Sequence, residues 1–564
     1  MTSLFEELSK ERKQLQEDGE VPNWYTTQGY QLFKSKYSYK GETVKQAFSR
    51  VAQAAARHVE HVLPDAEERF FDLMWSGKLA PSTPVLSNMG TDRGCPVSCS
   101  GNYVSDSVNS FYSSMRESAL LSKNGFGTSG YLSDIRHRGS EMTGGGKASG
   151  ITPVLNAHVQ VARDISQGSS RRGAYAAYIS IEHPDYYEIV QDLVSSPDDK
   201  NIGWIISDKF IQSLEEGCQD SVTRYQKALK AKAVTGKGYF FFVDKTNRAN
   251  PSMYVDKGFE VKASNLCTEI TLMSDEDHTF TCVLSSINAS MWDDITDEDI
   301  KYSTIFLDCV ASEFIRVGFN IKGLEKAVNF TEKSRALGLG VLGFHTFLQK
   351  KMVAFESIDA KIINRNIFKD IQENSLVASR WMAKALGEPN WCKGYGVRNT
   401  HLVAVAPNTS SALLCGGVSQ GIEPVVENVY LQSGAGGEME RINPVLLDVM
   451  KDRKVYSKET IADIIDNNGS VQHVDWLDGE EKLVFKTAFE IDQEVILSLA
   501  SMRQNYIDQA QSINLFFDAD AEEEYISEVH KKAFLDPNIK SLYYMRSKAG
   551  VKAAKDEVCL SCEG

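Results

Sequence analysis

The chain has 564 residues, of which 42% are hydrophobic and 24% charged, a composition typical of a globular protein rather than a disordered or fibrous one. Its formal net charge of −15 argues against binding to a nucleic-acid backbone, which requires a positive surface. No stretch reaches the roughly 20 apolar residues that span a bilayer, and the charged N-terminus is unlike a secretory signal. We therefore expect a cytoplasmic protein that binds no membrane and no nucleic acid.

The ten cysteines are spread along the whole chain. A reducing compartment keeps such cysteines as thiols, so redox or catalytic roles are favoured over structural disulfides. The single CxxC pair is Cys559 and Cys562, and no HExxH motif occurs. We expect no metal site in this chain.

Residues 1–80 are predicted to form a helical N-terminal domain. Apolar residues such as Val44, Phe48, Val51 and Ala55 recur with the period of one buried helical face. Gly77 is a candidate stop for the last of these helices.

From residue 81 onward, short apolar runs alternate with helical stretches, which predicts parallel strands joined by helical crossovers. A closed α/β barrel is favoured over an open sheet, although periodicity alone cannot distinguish the two. The predicted helices are 106–121 and 153–165, the latter with Thr152 as N-cap. The predicted strands are 204–206, 239–243, 266–272, 280–284 and 402–405.

The predicted main domain covers residues 81–546. Its segment 430–490 is more polar and is expected to lie at the periphery, whereas 521–535 reads as a helix. Residues 547–564 have few large apolar side chains and are expected to form a flexible C-terminal tail.

Four segments occur in a characteristic order: PSTPVLSNMGTDRGCPVSC at 81–99, SNLCTEI at 264–270, LYYMR at 542–546 and CLSC at 559–562. Together they resemble the catalytic large subunit of class I ribonucleotide reductases. FFVDKTNRANP at 241–251 and RQNYIDQAQSINLF at 503–516 extend the likeness over most of the chain. The resemblance implies a ten-stranded α/β barrel that reduces ribonucleoside diphosphates to 2′-deoxyribonucleoside diphosphates by a thiyl-radical mechanism, for DNA precursor synthesis.

In SNLCTEI, an extended segment would place Asn265, Cys267 and Glu269 on one side, because side chains alternate with period two. The resemblance implies that Cys267 carries the radical, that Glu269 is a general base and that Asn265 holds a substrate hydroxyl. The alternative is a buried strand in which the cysteine is a small hydrophobic residue.

The resemblance also assigns Cys99 and Cys282 as the dithiol that reduces the substrate. A Cys95–Cys99 pair is a competing interpretation, and geometry decides between them, since bonded cysteines need Cα atoms within about 7 Å. Cys559 and Cys562 would carry reducing equivalents from thioredoxin or glutaredoxin. The alternative for that pair is a metal-binding or accidental CxxC.

The adjacent Tyr543 and Tyr544 resemble the stacked tyrosines that relay a radical from the metal cofactor of a separate small (beta) subunit. On their own, two neighbouring tyrosines are more often core packing. A class II reductase, which depends on adenosylcobalamin, would not need this pair.

A nucleoside diphosphate requires phosphate donors, and the segment PNTSS offers N–H groups and hydroxyls at a helix start. The predicted contacts are Asn408, Thr409, Ser410 and Ser411, and Thr83 and Ser98 match further substrate positions of the family. The alternative is an N-cap cluster without a ligand. PNTSS differs from the sequences usual in the family.

Two loops, 136–150 and 166–174, resemble the loops that bind a deoxynucleoside triphosphate or ATP effector with Mg²⁺ at a dimer contact. Asp106 and Arg136 match effector-contacting positions, while Gln167 and Arg171 match the loop that reports to the substrate base. Loops rich in glycine and arginine are otherwise often simple connections.

The resemblance has a second departure, and one motif in the sequence is misleading. Only about 80 residues precede the STP motif, so the N-terminal ATP cone of longer family members is expected to be absent. Gly338, Gly340 and Gly343 spell GxGxxG without the acidic residue of a dinucleotide fold, and we interpret them as close helix packing.

The expected assembly is a homodimer within an α2β2 complex. The rival functions are a class II reductase, a catalytically inactive nucleotide-binding regulatory homologue and a thiol–disulfide oxidoreductase.

Overall fold

A computed structural model describes residues 4–167, 171–434 and 437–547. The helices are α1 Leu4–Glu17, α2 Thr27–Leu32, α3 Val44–Ala56, α4 Ala66–Trp75, α5 Thr83–Asn88, α6 Val108–Lys123, α7 Ile151–Asp164, α8 Tyr186–Ser195, α9 Asp208–Glu215, α10 Gln219–Thr235, α11 Val243–Arg248, α12 Ser252–Lys257, α13 Asp297–Gly318, α14 Glu325–Ser334, α15 Phe344–Lys350, α16 Ile358–Leu386, α17 Thr409–Leu414, α18 Pro444–Asp452, α19 Lys458–Asp466, α20 Gly479–Val484, α21 Gln493–Gln504 and α22 Glu523–Leu535. The strands are β1 Leu79–Pro81, β2 Cys99–Tyr103, β3 Gly127–Tyr131, β4 Ser166–Gln167, β5 Arg171–Arg172, β6 Tyr175–Ser180, β7 Asn201–Ile206, β8 Tyr239–Phe242, β9 Phe280–Cys282, β10 Leu284–Asn288, β11 Gly338–Leu342, β12 Val429–Gly434, β13 Gly437–Ile442, β14 Leu515–Phe517, β15 Ser541–Leu542 and β16 Met545–Ser547.

The N-terminal helices pack against the rest of the molecule through α3 and α4. Thr43 begins α3 with a capping box, in which its side chain accepts from the N–H of Gln46 while the Gln46 side chain accepts from the N–H of Thr43. The apolar face predicted for this helix is buried, and both helices contact α13, where the Phe70 and Phe306 rings lie 5.4 Å apart. The predicted helical character of this region is confirmed.

Five parallel strands form the first half of the central barrel, in the order β2, β3, β6, β7, β8. Their side chains are almost all buried on both faces, as expected for parallel strands covered by helices. The strands predicted at 204–206 and 239–243 are β7 and β8 of this half.

The second half contains five further segments. The continuous stretch formed by β9 and β10 pairs in parallel with β11 through β10. Parallel bridges then join Leu339 to Val403 and Val405 to Gln511, and β14 pairs in parallel with β16. The segment predicted as a strand at 402–405 therefore lies in the barrel wall, although only its bridge residues pair regularly.

Two antiparallel seams join the halves. At one seam β9 pairs with β2, and at the other β15 pairs with β8. The segment 541–547 therefore belongs to both halves, because β15 closes on the first and β16 on the second. The predicted α/β barrel is confirmed, as ten segments in a ring.

The predicted N-cap of α7 is wrong. The helix begins at Ile151, and the residue before it, Gly150, has a φ of 79°. The carboxylate of Asp185 accepts from the N–H of Ile151 at 3.0 Å. The cap comes from a distant part of the chain, so the local sequence could not reveal it.

The GxGxxG segment is not a site of helix packing. Gly338 and Gly340 lie in β11, and only Gly343 precedes a helix, α15. A Cβ atom at Gly340 would lie 2.8 Å from the main-chain oxygen of Ala404 and 3.0 Å from Oγ of Ser286. The glycines allow close approach of neighbouring segments of the barrel wall.

Residues 429–485 form a peripheral unit with its own apolar core. The β12–β13 hairpin and helices α18, α19 and α20 enclose this core. Its central side chains are Val429, Leu446, Met450, Ile464 and Phe485.

None of the described helices is long and apolar enough to cross a membrane.

The substitution Gly340→Ala is predicted to destabilise the barrel by about 1–3 kcal/mol, because the added methyl group overpacks the contact with Ala404. The apparent melting temperature measures the loss. Gly479→Ala is the matched control, since a Cβ there meets no atom within 4 Å and α20 gains a better helix former. Equal melting temperatures for the two variants would contradict this account.

Candidate active site

Cys267 lies at the tip of a buried loop, residues 261–272, that we call the finger loop. Thr268 next to it has a φ of 70°, a left-handed conformation that is rare for a β-branched residue. Ser264 Oγ donates to the carbonyl oxygen of Ile270 at 2.6 Å, and Asn265 Oδ1 accepts from the N–H of Ile270 at 3.2 Å. Side-chain hydrogen bonds thus close the loop at its base.

The strand predicted for 266–272 is wrong, because these residues form a turn and irregular chain. Asn265 and Glu269 nevertheless meet, since the turn folds them together and Asn265 Nδ2 donates to Glu269 Oε1 at 2.9 Å. The local polar side chains of Ser264 and Asn265 replace the strand ladder. The contact between Asn265 and Glu269 therefore arises from the turn and not from period-two alternation.

The finger loop is fastened to both halves of the barrel. From the first half, Ser129 Oγ donates to the Ser264 carbonyl at 2.9 Å and Tyr178 Oη donates to the Asn265 carbonyl at 2.6 Å. From the second half, Ser512 Oγ donates to the Cys267 carbonyl at 2.6 Å. The loop therefore crosses the interior of the barrel.

Cys99 and Cys282 face each other across the β2–β9 seam, where they are register partners. Both are buried thiols in the same apolar cluster as Cys267, and a hydrogen bond joins their side chains. Directly opposed residues of an antiparallel pair have Cα atoms about 4.5–5.5 Å apart, within the range of a disulfide.

Cys95 lies elsewhere. It belongs to a different apolar cluster, its N–H donates to the Asn124 carbonyl at 2.9 Å, and burial alone raises its pKa to about 12. The geometry favours the Cys99–Cys282 pair over the Cys95–Cys99 pair.

Burial raises the pKa of the acidic groups of the site. Burial, reinforced by the neighbouring Cys99, raises the pKa of Glu269 to about 8. Burial, the hydrogen bond with Cys99 and the nearby Glu269 and Cys267 raise the pKa of Cys282 well above its ordinary value. The site therefore holds thiol protons at neutral pH and a carboxyl group poised to exchange one.

Tyr543 connects the finger loop to a cluster of aromatic rings. Its hydroxyl donates to Cys267 Sγ at 3.5 Å, and its ring centroid lies 4.2 Å from that of Tyr544 at an interplanar angle of 55°. The guanidinium of Arg546 lies 4.3 Å from the centroid of Tyr544. The predicted pair is in contact, tilted rather than parallel.

A cavity of about 350 Å³ opens beside this cluster, and Tyr543 lines it. Another part of the wall is formed by Thr409 and Ala412 of α17, together with Asn514 and Arg546. The tyrosine that touches Cys267 and the predicted phosphate segment therefore border one cavity.

Of the predicted substrate residues, Thr409 is exposed and the other five are buried. Asn408 donates through Nδ2 to the carbonyls of Val341 and Ala406, at 3.3 and 2.9 Å, and accepts from Ser286 Oγ at 3.0 Å. Its side chain is thus held by the barrel wall. Thr409 donates to Gln420, Ser410 is buried, Ser411 donates to the carbonyl of Pro81, Thr83 contacts Tyr37 and Ser98 donates to Ser82.

The residues predicted to contact an effector lie at the ends of β2 and β3. Arg136 donates to Asp106 at 2.5 Å across this edge of the barrel. Gln167 and Arg171 are register partners in the β4–β5 pair. Cys559 and Cys562 lie outside the described residues.

Known proteins share this architecture. The family described as "Ribonucleotide reductase, barrel domain" matches residues 97–224, 222–393 and 390–545, and "Ribonucleotide reductase, all-alpha domain" matches residues 23–94. The chain belongs to the ribonucleotide reductase large-subunit family.

Individual relatives agree. The "Ribonucleoside-diphosphate reductase large subunit" of Invertebrate iridescent virus 3 is 30% identical over 607 residues, covering 93% of this chain and 94% of that protein. The large subunit from Caenorhabditis elegans is 26% identical, covering 88% of this chain and 75% of that protein. The solved structure of the Actinobacillus ureae class Id ribonucleotide reductase alpha subunit superposes with a TM-score of 0.85 at 36% identity, covering 96% and 99% of the two chains.

The sequence reasoning missed several residues that support this ribonucleotide reductase site. Ser512 donates to Glu269 Oε2 at 3.1 Å as well as to the Cys267 carbonyl, and Tyr178 anchors Asn265. The ring of Tyr239 lies 4.7 Å from Tyr543 and 5.3 Å from Tyr544. Ser512 lies in the segment 503–516, whose likeness to the family was its only signal.

Ser512→Ala is predicted to lower kcat about tenfold, the effect of losing one hydrogen bond to a charged group. The hydroxyl of Ser512 lowers the pKa of Glu269, so its removal raises that pKa further. As the general base expected from the sequence, Glu269 would act when deprotonated, so kcat/KM in the native enzyme should rise with pH to about 8, and the variant's profile should shift to higher pH. A profile unchanged in position would contradict the role of Ser512.

Proposed function

We propose that this chain reduces ribonucleoside diphosphates to 2′-deoxyribonucleoside diphosphates by a thiyl-radical mechanism and so supplies DNA precursors. The contact of 3.5 Å between Tyr543 Oη and Cys267 Sγ carries the proposal, because it joins a radical relay to the finger loop. In this proposal, residues 81–546 are the catalytic barrel, 1–80 the helical N-terminal domain and 547–564 the flexible tail.

The reaction begins at Cys267. A phenoxyl radical at Tyr543 takes a hydrogen atom from the thiol, so that the S–H bond breaks, an O–H bond forms and the radical passes to sulfur. Tyr544 hands the radical to Tyr543 through their ring contact. The source is the metal cofactor of the separate small (beta) subunit.

The substrate is activated by removal of its 3′-hydrogen. The Cys267 radical abstracts this atom and becomes a thiol, Glu269 accepts the 3′-hydroxyl proton, and Asn265 holds the neighbouring hydroxyl. The pKa of Glu269 near 8 suits proton exchange close to neutrality. The 2′-hydroxyl, once protonated, leaves as water.

Cys99 and Cys282 supply the reducing equivalents. Their two thiols give up two electrons and two protons and end as a disulfide, and Cys267 returns its hydrogen atom to the 3′-carbon. The raised pKa of Cys282 supports this role, because the proton is present when it is needed. Cys559 and Cys562 then reduce the disulfide by exchange, and thioredoxin or glutaredoxin restores them.

The diphosphate binds at the start of α17. Thr409 lines the cavity, and the buried Ser410 and Ser411 follow it in α17. Ser98 directly precedes Cys99, and Thr83 begins α5. Asn408 contributes by shaping the segment, since its side chain is bonded to the barrel wall.

Regulation is proposed at the Asp106–Arg136 edge. A deoxynucleoside triphosphate or ATP with Mg²⁺ binds there at the contact of a homodimer, and Gln167 and Arg171 relay the occupancy to the substrate base. The dimer combines with the small subunit as α2β2, and the enzyme works in the cytoplasm.

Cys267→Ser is predicted to abolish turnover while leaving the melting temperature and nucleotide binding unchanged, because an alcohol O–H bond is too strong to replace the thiol. Formation of deoxycytidine diphosphate with the small subunit measures activity. Cys95→Ser is the matched control: this buried cysteine belongs to another cluster, and its variant should remain active. Activity in Cys267→Ser, or inactivity in Cys95→Ser, would count against the assigned thiols.

Tyr543→Phe is predicted to block reduction driven by the small subunit, because phenylalanine cannot form a neutral phenoxyl radical. Addition of adenosylcobalamin to the native chain without a small subunit should yield no product. Product formation in that second assay would favour the class II alternative, and normal turnover of the variant would refute the relay.

A further inference from the structure

Lys232 is a buried lysine directly behind the tyrosine pair. It lies near the end of α10 and is 0% exposed. Its ammonium group donates to the main-chain oxygen of Tyr543 and, at 3.2 Å, to that of Gly238. Both acceptors are carbonyls, so no carboxylate among its hydrogen-bond partners balances the charge.

Placing a cation inside a protein without an anionic partner is costly. Burial lowers the pKa of Lys232 to about 7. On helix α22, His530 interacts electrostatically with Lys232; burial and Lys232 lower the pKa of His530 to about 3, so that it is neutral. Perturbed ionisable groups of this kind concentrate at functional sites.

The surroundings of Lys232 are the aromatic cluster of the relay. Nζ lies 5.9 Å from the ring centroid of Tyr239 and 5.5 Å from that of Phe240. Tyr239 in turn contacts the rings of both Tyr543 and Tyr544. Lys232 therefore contacts the tyrosine cluster in two ways: its ammonium lies near the ring of Tyr239, and it donates to the main-chain oxygen of Tyr543.

Tyr543 lies in the two-residue link between β15 and β16, where its peptide needs outside anchors. On one side its N–H donates to the Ile513 carbonyl at 2.8 Å. On the other, Lys232 holds its carbonyl. Two opposed anchors thus fix the backbone that aims the phenol at Cys267.

We propose that Lys232 is a positioning residue for hydrogen-atom transfer between Tyr543 and Cys267. The proposal rests on the proposed function, since it assumes that Tyr543 is the last carrier before the thiol. Displacement of a reacting atom by about 1 Å can reduce a rate about a hundredfold. Loss of the anchor should therefore slow turnover without altering substrate binding.

Lys245 provides a matched control. It is 4% exposed, its pKa is lowered by burial to about 7, and it donates to the carbonyls of Ala533 and Phe534 at 2.9 and 2.8 Å. Its ammonium also lies over a ring, 4.0 Å from the centroid of Phe242. It shares the chemistry of Lys232 but holds the end of α22 instead of Tyr543.

The test compares Lys232→Met, Lys245→Met and Tyr543→Phe in the full chain with its small subunit, using cytidine diphosphate as substrate. Lys232→Met should lower kcat at least about tenfold at unchanged KM, whereas Lys245→Met should stay within about twofold of the native kcat. Melting temperatures of the two methionine variants report general effects of removing a buried ammonium.

Native kcat in Lys232→Met would overturn the inference, as would equal losses in both methionine variants. If Lys232→Met does not fold, Lys232→Gln replaces it, because its amide nitrogen lies one bond nearer the backbone and so withdraws from the Tyr543 carbonyl: reduced kcat at native KM supports the role and native kcat overturns it. An active Tyr543→Phe would instead refute the relay itself. An inactive Tyr543→Phe beside a fully active Lys232 variant would refute only the role of Lys232.

Discussion

Hydrogen bonds from both halves of the barrel hold the finger loop in the interior, and the whole site depends on these hydrogen bonds. Tyr178 and Ser129 hold its first limb and Ser512 its tip. Parallel strands within each half leave no short connection across the centre, so a loop must enter from one end. Because the barrel walls hold the loop largely through its main-chain carbonyls, the side chains of Asn265 and Glu269 can bond to each other, and Cys267 can contact Tyr543.

The same enclosure determines the acid–base chemistry. Burial raises the pKa of acidic groups, since little bulk solvent stabilises their anions. Glu269 and Cys282 both show this effect. The proposed radical reaction, which must deliver hydrogen atoms and protons to a sugar, benefits from an interior in which thiols remain thiols, and Tyr543 borders a cavity beside this interior.

The sequence predicted which residues lie together better than it predicted their conformation. Alternating apolar runs predicted strands joined by helices, whereas the ten-stranded barrel and the grouping of Cys267, Cys99 and Cys282 followed from the resemblance. Alternation failed at 266–272 because Thr268 adopts a left-handed conformation and Asn265 bonds to its own loop. The α7 cap and the anchoring by Ser512 and Lys232 were beyond reach, since each depends on residues far apart in sequence. Local sequence patterns indicate whether a side chain is buried, whereas hydrogen bonds between distant residues exist only once the fold is complete.

The closing seam carries a consequence for assembly. The chain segment that completes the ring is also the one that bears Tyr543 and Tyr544, because β15 joins one half and β16 the other. The contact between Tyr543 and Cys267 therefore forms only when this segment pairs with both halves. Under the proposed mechanism, closure of the ring and access of an oxidising equivalent to the sulfur depend on the same seven residues, 541–547.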